Sequence, residues 1–138
     1  MRKVSLLIGI CMLVALALTL AAQGPDLSPI MKDVGATNTK LGMDFMGTST
    51  ADVAADAAKL QTDFNQALGF FKAMKAQDAI DMAKANADAA GEVIKAAKAN
   101  NMDAAKAAYA GTIQKSCKAC HSIHRETLPD KTFKYKAQ

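Results

Sequence analysis

Apolar residues recur at steps of three and four positions along most of this 138-residue chain. This spacing is typical of amphipathic α-helices, and the alternation typical of half-buried strands is not seen. The chain beyond residue 24 is also rich in alanine, the residue with the highest helix propensity. The strongest series comprises Val53, Ala57, Leu60, Phe64, Ala67 or Leu68, and Phe71. The pattern therefore predicts an all-α protein.

Breaks in the periodicity divide this region into four predicted helices. Ser28 is a suitable N-cap, and Pro29 suits the first helical position, where its missing N–H costs no hydrogen bond. The approximate bounds are Ser28 to Phe45, Ser49 or Thr50 to between Ala73 and Lys75, Gln77 or Asp78 to Lys98, and Asp103 to Thr127. Because short connections favour antiparallel neighbours, we predict an antiparallel up-down-up-down four-helix bundle.

The last predicted helix carries the most specific motif of the chain. Its predicted inward face consists of Ala105, Ala108 or Tyr109, Thr112 and Ser116, followed by Cys117-Lys118-Ala119-Cys120-His121. A Cys-x-x-Cys-His run is the attachment signature of c-type haem, in which both thiols bind the haem and the histidine ligates the iron. The spacing i, i+3, i+4 puts all three side chains on one helix face, which we expect to point into the bundle. Haem attached to the C-terminal helix is therefore predicted.

Three other interpretations of the motif compete with covalent haem. A zinc site would need four ligands, and with His124 all four would be crowded into eight residues of one helix. A thioredoxin-like redox pair would be expected beside a βαβ pattern, and the sequence shows no strand. A chance match would leave a haem-free helical interaction module. The export-like N-terminus and the lack of cysteines elsewhere after residue 22 favour haem.

The N-terminal segment has the layout of a secretory signal peptide. Two basic residues precede an apolar run from Val4 to Leu20, and small residues follow it. We predict that residues 1–22 are a signal peptide and that residues 23–138 form one domain, periplasmic or otherwise exported. The alternatives are an uncleaved membrane anchor, which would supply the only expected membrane contact, and lipid attachment at Cys11, which the short apolar stretch before it disfavours.

Charge is unevenly distributed along the chain. Removing residues 1–22 lowers the net charge from +4 to +2, a weak balance that does not favour a nucleic-acid partner. A positive region nevertheless lies in residues 115–138, which contain six basic residues and only two acidic ones, Glu126 and Asp130. The basic residues are Lys115, Lys118, Arg125, Lys131, Lys134 and Lys136. Such a region beside a haem would suit an acidic redox partner, and the alternative is a solvated helix end, where cations are favourable anyway.

The sequence resembles the cytochrome c′ family, the class II c-type cytochromes, over the whole of the predicted mature chain. The likeness lies in the signal segment, the four alanine-rich helices, the motif on the last of them, and Arg125 four residues after the motif's histidine. The resemblance implies that haem c is covalently attached to Cys117 and Cys120 and that His121 is the proximal iron ligand. It also implies that Arg125 lies one turn further along the helix, beside the proximal ring. The alternative for Arg125 is an exposed cation at a helix end.

The resemblance further implies that the first helix supplies the other side of the iron. The segment from Ile30 to Gly35 is similar to the family's distal region and places Met31 at the distal position. Six-coordinate low-spin relatives use a methionine there, and His/Met ligation raises the reduction potential. Five-coordinate relatives have a non-ligating apolar residue and bind gases such as nitric oxide. The alternative is that Met31 is a flexible core side chain.

These observations predict an exported c-type haem protein that carries single electrons, with His121 as proximal and Met31 as distal iron ligand. The alternative is a five-coordinate cytochrome c′ that binds nitric oxide or another small gas. No nucleophile, paired carboxylates or phosphate-binding loop indicates an enzyme. The expected partner is a redox protein of unidentified kind. A homodimer is a further expectation, because members of the family often pair through their first two helices.

Overall fold

The computed structural model describes residues 26–136, so the predicted signal segment, including Cys11, lies outside the described residues. Among residues 26–136, no helix is long and apolar enough to cross a membrane. The elements, in chain order, are α1 (Ser28–Asp44), α2 (Thr50–Ala73), α3 (Gln77–Lys98), α4 (Met102–Ala108), a π-helical segment (Tyr109–Ile113), α5 (Gln114–His124), β1 (Arg125–Thr127) and β2 (Phe133–Tyr135).

Side chains that flank the helices set where they begin. Ser49 accepts a hydrogen bond from the backbone N–H of Asp52 at 3.2 Å, and Asn101 caps α4 in the same way at 3.0 Å. Each bond satisfies an N–H group that has no partner inside its helix. The prediction that Ser28 is an N-cap is wrong by one position. Ser28 is the first residue of α1, and its own N–H donates to Asp26 Oδ1 at 2.8 Å.

The four predicted helices are confirmed as a packed set, with α4, the π-helical segment and α5 together forming the fourth. α2 packs along α1 and α3, and α3 packs in turn along all three parts of the last helix. The connections between successive helices are short, as expected for antiparallel neighbours. The fold of the described residues is therefore compatible with the predicted four-helix bundle.

Two clusters of buried side chains form the core. The main cluster takes residues from every helix and includes the fully buried Leu41, Leu60 and Ile113. The end cluster lies where α2 leads into α3 and consists of Ala67, Phe70, Phe71, Ala79 and Ala83. Burying one large aliphatic side chain contributes about 1.5–3 kcal/mol, so these clusters are the principal source of stability. The periodic positions predicted for the second helix are confirmed as core positions.

The chain after His124 forms a β-hairpin, so the prediction that the last helix continues to about Thr127 is wrong. Arg125 has extended backbone angles (φ −108°, ψ 123°), and β1 pairs with β2 in an antiparallel register that sets Arg125 opposite Tyr135. The hairpin returns the chain to the bundle, where Tyr135 packs on the end cluster. The all-α prediction thus fails for this short C-terminal segment.

The last helix is irregular before the motif. The π-helical segment from Tyr109 to Ile113 changes which residues face the core. Ala105 and Tyr109 are buried, as predicted, but Ile113 is fully buried where Thr112 had been predicted. Thr112 and Ser116 are only half-buried. The predicted inward face is therefore correct for the first half of this helix and shifted by one residue in the π-helical segment.

Candidate functional site

The Cys-x-x-Cys-His motif lies on α5, a regular α-helix. Cys117 and Cys120 are free thiols, both half-buried, and Cys117 packs against the main cluster. His121 is exposed. Because each residue turns the helix by about 100°, His121 lies at the edge of the face that the two cysteines occupy. The prediction that the motif points into the bundle therefore holds for the cysteines and is wrong for His121.

Burial raises the pKa of both thiols. Desolvation is the main cause for Cys117. For Cys120 the main cause is again desolvation, to which the neighbouring Cys117 and the carboxylate of Asp78 add. Both thiols are therefore protonated at neutral pH. A dithiol that exchanges disulfides needs a lowered thiol pKa, so this environment disfavours the thioredoxin-like interpretation.

His121 and Arg125 are neighbours, although Arg125 is not on the helix. Nη1 of Arg125 lies 3.5 Å from Nδ1 of His121, and the guanidinium sits over the ring of Phe133 at 4.3 Å from its centroid. The prediction that Arg125 is one helical turn further along is wrong, since Arg125 opens β1. Desolvation, and next the charge of Arg125, lower the pKa of His121. Its imidazole is therefore neutral at pH 7, the form that ligates metals.

His124 is buried, with 4% of its surface exposed, and it has a hydrogen-bond partner at each ring nitrogen. Nε2 lies 2.8 Å from Asp78 Oδ2, and Nδ1 lies 3.1 Å from the carbonyl oxygen of Lys136. The ring also stacks on Tyr135 at a centroid distance of 5.4 Å. His124 therefore joins α5, α3 and the hairpin, and it is not available as a further ligand beside the cysteines. No local sequence pattern indicates this role, because Asp78 and Lys136 lie 46 and 12 positions away along the chain.

Met31 lies in the first turn of α1, at the end of the bundle that carries the motif. Its side chain is half-buried and packs against both the main cluster and the end cluster. Tyr135 also packs against the end cluster, and Cys120 is one of the groups that raise the pKa of Tyr135, after desolvation and Asp78. In contrast, Met43 and Met46 are 54% and 82% exposed at the other end of α1. The structure thus brings Met31, but not these two methionines, to the cysteine end of the bundle.

Two hydroxyl groups near the motif are buried without a hydrogen-bond partner among residues 26–136. They are Oγ of Ser116, next to Cys117, and the phenolic oxygen of Tyr135. Leaving a buried polar group unpaired costs about 1–3 kcal/mol, so each is a candidate partner for a bound group. Tyr135 also lines an open cavity of about 190 Å³ together with Asp78 and His124. The surroundings of the cysteines therefore combine apolar walls with unpaired polar atoms.

No protein-family model, curated protein or solved structure matches this chain. The resemblance to the cytochrome c′ family therefore stays a prediction from the motif and its position.

Proposed function

We propose that this chain is a c-type haem protein that carries single electrons, with haem c covalently attached through Cys117 and Cys120. The observation that supports this most strongly is the state of the two cysteines. They are free, half-buried and three residues apart on one face of a regular helix. With His121 as the next residue, this is the arrangement that the c-type haem signature requires.

The residues around the cysteines fit a haem. Cys117 packs on an apolar core cluster, which suits the largely apolar macrocycle, and the unpaired hydroxyls of Ser116 and Tyr135 could serve its polar edge. Val34 of α1 belongs to the same cluster, so both helices proposed to flank the haem contribute to this apolar surface. The pKa of His121 lies below its ordinary value, which keeps a neutral imidazole for the iron.

When bound, the haem supplies an iron that alternates between the ferric and ferrous states. The role of the chain is to hold this group and to set its surroundings. In our proposal Cys117 and Cys120 fix the haem to α5, and His121 is the proximal ligand. Arg125, beside His121, places a positive charge on the proximal side and disfavours a second positive charge on the imidazole.

Met31 is proposed as the distal ligand because its thioether is on the bundle end that carries the motif. His/Met ligation gives a low-spin iron with a raised reduction potential, which suits electron transfer. The second candidate function is a five-coordinate haem that binds nitric oxide or another small gas. The observation that favours it is that Met31 already packs against both core clusters, as a flexible core side chain does.

Covalent haem is tested first, with the full chain produced in a host that attaches c-type haem. We expect a pyridine haemochrome spectrum of haem c and a haem-stained band on a denaturing gel. Replacing Cys117 and Cys120 by serine should abolish the stained band. A colourless protein from such a host would overturn the proposal and leave the haem-free interaction module.

Coordination is tested next, by optical and electron spin resonance spectra of the ferric protein. We expect a low-spin signal that Met31→Ala converts to high spin. Met43→Ala and Met46→Ala, both exposed at the far end of α1, are the matched controls and should leave the spectrum unchanged. A high-spin wild-type signal that Met31→Ala does not alter would favour the gas-binding alternative.

Export and partner choice follow from features outside this site. The proposed signal peptide, residues 1–22, would deliver the chain to the periplasm or a similar compartment, where c-type haem proteins carry out their redox reactions. The six basic residues of segment 115–136 are all exposed, and one of them, Lys134, pairs with Glu126 at 3.2 Å. We propose that this positive region meets the redox partner. Self-association through α1 and α2 stays a prediction.

A further inference from the structure

The π-helical segment precedes the cysteine pair by only a few residues, and neither the haem motif nor the core explains it by itself. Short π-helical segments are uncommon and frequently lie near functional sites. The residues of the last helix that face the bundle, on both sides of this segment, are Ala105, Tyr109, Ile113, Cys117, Cys120 and His124. These six positions show what the segment does.

The spacing of these inward positions does not fit a regular α-helix. His124 follows Ala105 by 19 positions and faces the same way. Five turns of α-helix use about 18 residues, so the stretch holds one residue more than five regular turns can take. If the helix were α-helical throughout, everything after the extra residue would be rotated by about 100° relative to Ala105. The π-helical segment absorbs that residue.

Contacts with α1 fix the segment in place. The hydroxyl of Tyr109 donates to Asn38 Oδ1 at 2.9 Å, and its ring lies 5.1 Å from that of Phe45. At the other end of the segment Ile113 is fully buried. Between them, Ala110 and Gly111 are exposed, so the extra residue is on the solvent side. Glycine is a poor α-helix former, which weakens the competing regular helix at this point.

We propose that this π-helical segment is a positioning device for the cysteine pair. It lets Tyr109 and Ile113 stay in the core while Cys117 and Cys120 are turned toward the bundle. The effect of the segment on the orientation of the cysteines concerns the chain alone. That this orientation presents the thiols to haem rests on the proposed function. These two claims are separable by experiment, because the exposure of the thiols can be measured without haem.

The decisive experiment changes the number of residues in the segment. After deletion of Gly111, His124 follows Ala105 by 18 positions, which five regular α-helical turns accommodate. Both cysteines should therefore keep their orientation. Inserting an alanine after Gly111 adds a further residue and should turn them outward. Gly111→Ala is the matched control, since it removes the glycine without changing the spacing, and a Cβ there meets no atom within 4 Å.

The readout is the rate at which Cys117 and Cys120 are alkylated, measured by mass spectrometry on the full chain from a host without haem-attachment enzymes. Circular dichroism checks that each variant is folded. We expect rates within about twofold of wild type for the deletion and for Gly111→Ala, and about tenfold faster or more for the insertion, because exposure governs thiol reactivity. In a maturation-competent host, haem attachment should fall only in the insertion variant.

The deletion variant alone decides the proposal, even if the insertion prevents folding. A deletion variant that is folded with protected thiols supports it. A deletion variant that unfolds, or whose thiols react as fast as those of denatured protein, overturns it. Equal protection in the deletion and insertion variants also overturns it, because helix register would then be irrelevant. If neither the wild type nor any variant binds haem, but the alkylation rates differ as expected, the proposed function is wrong. The positioning role of the π-helical segment is then still supported.

Discussion

Asp78 and His124 form a pair between the first turn of α3 and the last residue of α5, with Oδ2 of Asp78 2.8 Å from Nε2 of His124. The other ring nitrogen contacts the carbonyl oxygen of Lys136. A carbonyl oxygen can only accept, so Nδ1 is the donor in that contact. This one side chain thus holds the end of the motif helix and the returning hairpin against α3.

Replacing His124 by leucine should therefore loosen the C-terminal end of the protein. The substitution removes two hydrogen bonds at a side chain that is 4% exposed and leaves the carbonyl of Lys136 without its partner. We expect the free energy of unfolding to fall by about 1–3 kcal/mol in urea denaturation. Hydrogen exchange should quicken in the hairpin more than in α1. Ser122→Ala, at an exposed position of the same helix, is the control, and an equal loss in both variants would contradict the role given to His124.

Asp78 should make the protein sensitive to acid. Desolvation raises the pKa of its carboxyl, but the hydrogen bonds from His124 and from the N–H of Ala79 outweigh this and hold the pKa below the ordinary value. A carboxyl whose pKa is lowered on folding stabilises the protein above its unfolded pKa of about 3.9, and this contribution is lost as the pH falls through the lower, folded value.

The measurement is the urea midpoint between pH 6 and pH 2. We expect Asp78→Asn to lose less stability than wild type over this range, because the asparagine does not titrate. Asp81→Asn, at an exposed position one turn along α3, serves as the control and should follow the wild-type curve more closely. Parallel curves of urea midpoint against pH for wild type and Asp78→Asn would show that this carboxyl does not contribute to the acid sensitivity.

The raised pKa values of the two thiols predict slow alkylation in the haem-free chain. The rate should keep rising with pH beyond the ordinary thiol value of 9.0, because only the thiolate reacts. Asp78→Asn should lower the apparent pKa of Cys120, since the Asp78 carboxylate is one of the causes that raise it, and should leave that of Cys117 unchanged. Peptide mass spectrometry after timed alkylation resolves the two residues. Equal shifts at both cysteines would indicate a general loosening.

Patterns within a few residues predicted the helices well. In contrast, the burial of His124 and the C-terminal hairpin depend on contacts between residues that are distant in sequence. Periodic apolar residues and the start of the second helix at Ser49 or Thr50 are read within a few positions, and both are confirmed. The burial of His124 depends on Asp78, which lies 46 positions away, and no local pattern reports that. The hairpin strands have three residues each, too few for alternation to be seen.

The π-helical segment was missed for a different reason, because its signal was present in the sequence. Apolar residues at Tyr109 and Ile113, followed by Cys117, are four positions apart in succession, which drifts off one face of a regular helix. The prediction assumed regular turns and chose Thr112 instead. For the candidate site, the motif could be recognised from sequence, but the edge position of His121 and the contacts of Met31 required the packed helices.

The bond between Tyr109 and Asn38 should link α1 to the last helix energetically. Its length of 2.9 Å and the burial of Tyr109 favour a real contribution. We expect Tyr109→Phe and Asn38→Ala each to destabilise the chain, and a double-mutant cycle to give a coupling of about 0.5–1.5 kcal/mol. Thr39→Ala, whose hydroxyl bonds only to the backbone of its own helix, is the control partner and should show no coupling to Tyr109→Phe.

The positive region of segment 115–136 should affect reactions with charged redox reagents, if the chain carries haem as proposed. Lys115 and Lys118 are exposed on the helix that bears the cysteines. Changing both to glutamate should slow reduction of an anionic iron complex about two- to tenfold at low salt and quicken that of a cationic ruthenium complex, because local charge steers encounter. The difference should shrink near 1 M salt, where the screening length is about 3 Å.

The control for this experiment carries the same change of net charge elsewhere. Lys84→Glu with Lys98→Glu changes the charge at exposed positions of α3 instead of α5, and it should change the stopped-flow rates much less. If the two double variants shift the rates equally, the reagents respond to net charge alone and the positive region is only a solvated end. If only the Lys115 and Lys118 variant responds, electrons leave the haem beside α5. An acidic surface is then the complement that a partner protein must present.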